Sequence, residues 1–231
     1  MKTITNLETK SEFNWEGLWR TSGNSFILFA LIALGLYGYQ LQTRDSIESV
    51  VTYYESHRMR ILIAAFVSGM AVLNLLWFAS TLRSTLVDAG RDGWGASVII
   101  ASSIFGGLSL LLIAIDTALA FSIVDIGNPT LVSALHTFEW AGIVMSSFPR
   151  AMLIMAVSFG LWRAGIISNG MFAAGVTALL LVLLGGSTWM HDGIWAPDGI
   201  YSRFISPLIG LVWVGVVNRI LTISPATRAT W

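Results

Sequence analysis

Among 231 residues, six have types and positions that suit chemistry. Asp116 and Arg150 lie well inside long apolar stretches, where a lone charge costs roughly 2.5 to 3.5 kcal/mol on insertion scales and so favours a partner or a wet cavity. If adjacent helices bring the two to one depth, they form an intramembrane polar pair suited to a proton or an anion. The plainer reading of the same pair, a structural tie between helices or an Arg150 that snorkels outward, carries more weight. His136 and Glu139, at i and i+3, share a helix face, and His191 is followed directly by Asp192. Together those four supply the imidazole and carboxylate groups that zinc or copper takes, if the loops converge. Solvated histidines at a headgroup boundary are the simpler alternative, and having no cofactor at all is the leading expectation.

The elements that must position these residues are set by composition. With 55% hydrophobic and 11% charged residues, the chain has too little polar surface to coat a soluble globule of this size. Lipid must be its solvent over much of its length. Apolar runs extend over 25–41, 60–82, 95–123, 140–162, 170–190 and 204–223. About 20 residues at 1.5 Å per residue cross the hydrocarbon, so all but the first suffice, and the first extends back toward Trp19. Strand alternation is missing, and a bilayer then requires helices. The fold class is therefore all-α: a polytopic bundle of about six transmembrane helices forming one domain over 1–231. Residues 1–22 read as a cytoplasmic interfacial lead too acidic for a signal peptide, with Glu8, Glu12 and Glu16.

Orientation follows from the Lys and Arg distribution. With the N-terminus in the cytoplasm, Lys2, Lys10, Arg20, Arg83, Arg91, Arg163, Arg219 and Arg228 lie inside, against Arg44, Arg58, Arg60, Arg150 and Arg203 elsewhere. Both termini are then cytoplasmic, and segments 42–59, 124–139 and 191–203 build an outer cap. Within the first of these, Asp45 and Glu48 have capping-box spacing before a short amphipathic interfacial helix. In the second, Asn128-Pro129 marks a helix start, and Pro149 kinks the helix that follows. Small residues four apart, Ser102 to Gly106, Ser103 to Gly107, Gly170 to Ala174 and Ser206 to Gly210, permit close helix approach.

Several classes drop out. The formal net charge is zero and the basic residues are scattered, which leaves no footprint for nucleic acid. Zero cysteines exclude disulfides and thiolate chemistry. The glycine-rich turn from Asp88 to Gly95 lacks the lysine of a phosphate loop and follows a membrane helix instead of a strand.

Three stretches carry a resemblance: Trp77-Phe-Ala-Ser-Thr-Leu-Arg83-Ser-Thr-Leu, the span with Ser103-Ile-Phe-Gly106-Gly107, and Leu161-Trp162-Arg163-Ala-Gly165-Ile-Ile. On these, from about Arg60 to Gly186, the chain resembles uncharacterised bacterial six-helix integral membrane proteins. That resemblance implies a fold and carries over no catalytic residue. The expectation is a multi-pass protein of the cell membrane, in contact with lipid and with a membrane-protein partner or a second copy of itself. It would serve as a non-enzymatic accessory or scaffold subunit, or as a small transporter using Asp116 and Arg150. A membrane metalloenzyme or redox subunit built on His136, Glu139, His191 and Asp192 is the rival.

Overall fold

The computed structural model describes residues 21–38 and 41–223, and among them every regular element is helical. Helix α1 covers Ser22–Tyr37, α2 Ile47–Asp88 and α3 Asp92–Ala118. A π turn over Leu119–Ile123 and a 3-10 turn over Val124–Ile126 prolong α3. Next come α4 (Pro129–Met145), α5 (Ser147–Arg163) and α6 (Asn169–Leu184), the last extended by a 3-10 turn at Gly185–Ser187. A second π turn at Tyr201–Ile205 leads into α7, Ser206–Ile223.

Five of these segments are long and apolar enough to cross a membrane: Ile47–Asp88, Asp92–Ile126, Pro129–Arg163, Asn169–Ser187 and Tyr201–Thr222. They also expose bulky apolar side chains: Phe66 is 72% and Val212 65% accessible. Contiguous apolar surface of that kind suits hydrocarbon, not water. Helix α1 has 16 residues, or about 24 Å, against a hydrocarbon core of about 30 Å. It stops early because Gly38 takes φ +63° and caps it. The expected extension toward Trp19 falls outside the described residues.

One sequence expectation is overturned outright. Residues 47–59 are not a separate interfacial helix, since they run straight on as the first turns of α2. No Gly or Pro interrupts Ile47 to Arg60, so nothing stops helix propagation there. The cap also shifts by one residue: Ser46 accepts the Ser49 N–H at 3.2 Å, while the Asp45 carboxylate turns back onto the Gln42 N–H at 2.6 Å. The next start is as expected, with the Asn128 side chain accepting from the Leu131 N–H at 3.1 Å and Pro129 opening α4. Pro149 cannot donate to the carbonyl four residues back, and the helix breaks at Ser146 into α4 and α5.

The main core joins Leu75, Phe78, Leu82 and Leu86 of α2 to Val98 of α3, Ile154, Val157 and Leu161 of α5, and Val217 of α7. A smaller cluster sits where α2 begins and α3 ends, with Val50, Tyr54, Ile61, Leu119, Val124 and Val132. The small-residue pattern locates helix contact only in part. Gly106 does meet Val72 of α2, but Gly107 and Gly210 face open space. Other glycines make the tight approaches: Gly142 lies against Leu112, and Gly175 against Ser158 and the Trp213 ring.

Candidate functional site: a buried acid cluster beside an arginine-walled cleft

Val50, Tyr54 and Ile61 fall on one face of α2 by their four- and seven-residue spacing, and all three are buried. On α4 the same periodicity buries Val132, His136, Glu139 and Trp140. Asp116 is buried near the end of α3, just ahead of the π turn. π turns recur at functional sites because they re-aim side chains at a helix end. The three elements converge on the Tyr54 hydroxyl, which donates to Asp116 Oδ1 at 2.8 Å and lies 3.4 Å from Glu139 Oε2.

A phenol has one proton to give and can also accept. Pointed at Asp116, it makes a second linear hydrogen bond to Glu139 only when the Glu139 carboxyl itself donates, so the arrangement can hold one proton between the two acids. Among the described residues the sole ion pair is Arg58 with Asp125 at 2.6 Å, so neither buried acid has a cationic partner. Tyr37 at the end of α1 closes one side. Its hydroxyl approaches Ser68 and Asp116, and its carbonyl accepts from the Tyr53 hydroxyl at 3.2 Å.

Tyr37 also lines a cleft of about 340 Å³ between α1, α2, α3, α5 and α7. The walls are almost wholly apolar, and Arg150 is the one charged side chain among the lining residues. Arg150 is 8% exposed. Its Nε donates to the Ser146 carbonyl at 3.2 Å and its Nη2 to Ser147 Oγ at 3.1 Å. The guanidinium carbon stands 5.9 Å from the Phe105 ring centroid.

Asp116 and Arg150 thus do not pair: Arg150 lines the cleft and Asp116 does not. Asp116 bonds the Tyr54 phenol, and Arg150 bonds groups on its own helix turn. The tetrad His136, Glu139, His191 and Asp192 does not gather either, and no group of three or more His, Asp or Glu side chains among the described residues is arranged to hold a metal. The reason is local. His136 Nε2 accepts from Trp140 Nε1 at 3.3 Å, Glu139 faces Tyr54, and His191 and Asp192 are exposed in the connection after α6.

Two contacts tie the connections together near this end. Thr43 donates its N–H (2.7 Å) and hydroxyl (3.0 Å) to Asp198, and Arg203 Nη2 reaches the Gly38 carbonyl at 3.2 Å. Sequence reading missed Tyr54 as the partner of Asp116 and Tyr37 as its neighbour. The available signal was chemical: a buried carboxylate without a nearby cation needs a neutral donor, and these phenols flank the first connection. Comparisons with protein-family models, with curated proteins and with solved structures find no match to this chain.

Proposed function

We propose that this is a proton-linked membrane carrier whose proton resides in the Tyr54–Asp116–Glu139 cluster. Six crossings, α1 included, with both chain ends in the cytoplasm, put that cluster toward the outer face of the cell membrane. The observation that carries the reading is two buried carboxyls within reach of one hydroxyl, with no cation paired to them among the described residues. Buried acids without cationic partners are costly in an apolar bundle, and in membrane proteins they mark ion and proton pathways. Like charges that share a site favour sharing a proton. The neighbouring cleft supplies room for a solute beside Tyr37.

A carrier cycle requires the shared proton to exchange with water. Infrared difference spectra of the reconstituted protein test this through the carboxyl band on transfer to heavy water and on a pH step. The expected result is one protonated carboxyl that shifts in heavy water, responds to pH and disappears in Glu139→Gln. A carboxyl band absent at every pH, or one that never exchanges, contradicts the reading.

A further inference from the structure

The cleft has a composition that its own residues leave unbalanced. A buried guanidinium forms part of its wall, and no Asp or Glu lines it. Nε and Nη2 of Arg150 are engaged, whereas Nη1 has no hydrogen-bond partner among the described residues. One guanidinium nitrogen therefore borders an apolar space with no acceptor among the described residues, and a buried charge needs a counter-charge.

We propose that the cleft binds a single-chain amphiphile with a carboxylate head, with the head on Arg150 and the chain along the apolar walls. The volume, about 340 Å³, lies within the range of small-molecule pockets. A guanidinium fork matches a carboxylate in shape and charge. The cleft volume favours one chain over the two of a phospholipid. Arg150 bonds Ser147, whose hydroxyl stands against Gly185 two residues from the Ser187 end of a membrane-length segment, so a head on Arg150 stays near that face while the chain enters the cleft. A carboxylate also takes up a proton on the way in, which lowers its cost in apolar surroundings. Such a ligand suits a proton-linked carrier, and the inference rests on that reading for turnover but not for binding.

The test is equilibrium binding of oleate and of oleyl alcohol to the full chain in phosphatidylcholine nanodiscs. Oleate should bind about tenfold or more tightly than the uncharged alcohol, the worth of one charge-assisted hydrogen bond. Arg150→Gln should reduce oleate to the level of the alcohol. Because Arg150 also ties its own helix turn, a second variant leaves it intact. Gly210 lines the cleft with nothing within 4 Å of an added Cβ, so Gly210→Phe fills the space and should weaken both ligands about tenfold or more. Equal affinity for acid and alcohol overturns the inference, as does wild-type oleate binding by Gly210→Phe. Displacement of oleate by equimolar phosphatidylglycerol also overturns it, because the occupant is then a two-chain lipid. All of these outcomes are separate from the infrared result, which stands or falls on the acid cluster alone.

Discussion

At the scale of single residues, the account turns on which group satisfies a buried acid. Tyr54→Phe removes one hydroxyl and leaves the Asp116 and Glu139 carboxyls without their shared hydrogen-bond partner. Such a loss costs about 1–3 kcal/mol, read as a lower unfolding midpoint in detergent. Glu139→Gln keeps the shape and replaces the protonated carboxyl with a neutral amide. Its stability should fall no more than about 1 kcal/mol below wild type, even as the exchangeable carboxyl signal vanishes. If Glu139→Gln unfolds as readily as Tyr54→Phe, the glutamate is held by something other than the phenol. Hydropathy made Asp116 and Arg150 stand out in the sequence, but it did not disclose their partners. Tyr54 lies sixty-two positions from Asp116, and in hydropathy a phenol reads as one more aromatic residue. His136 and Glu139 share a face as their spacing requires, but that face points into protein, so the tetrad with His191 and Asp192 does not form.

At the scale of elements, local rules governed where helices begin and break. Asn128-Pro129 opens α4, and Pro149 lies just beyond the break at Ser146, both as the sequence implies. Asp45 and Glu48 misled because Ser46 competes for the same cap and wins by its closer fit to the Ser49 N–H. The glycines show what pattern alone leaves out. Spacing of four marks Gly107 as readily as Gly106, but which one meets a neighbour depends on helix rotation, a tertiary property. Gly175→Ala would push a methyl into Ser158 and the Trp213 ring, so its expected cost is about 1–3 kcal/mol. Gly107→Ala faces open space and should be neutral or stabilising by up to about 1 kcal/mol from helix propensity. Thermal unfolding of the two purified variants side by side checks the pair. Equal effects would mean that α5, α6 and α7 do not pack as described.

At the scale of the whole molecule, the proposed carrier requires that α2 cross the bilayer and that its two ends face different water. That helix is 42 residues, about 63 Å, roughly twice the hydrocarbon thickness. Its first turns carry Tyr54 to the acid cluster. The exposed Arg58–Asp125 pair nearby contributes little, and Asp125→Asn should change stability by less than about 1 kcal/mol in an unfolding titration. The chain has no cysteine, so single introduced thiols report sidedness without background. Ser56 and Asp192 are exposed at the acid-cluster end, and Asp88 is exposed at the other. Labelling of intact cells with a membrane-impermeant maleimide is the most direct test. Ser56→Cys and Asp192→Cys should label at once, and Asp88→Cys only after the membrane is permeabilised. Equal labelling of all three on intact cells would contradict a membrane crossing between Ser56 and Asp88, and with it a carrier built on this bundle.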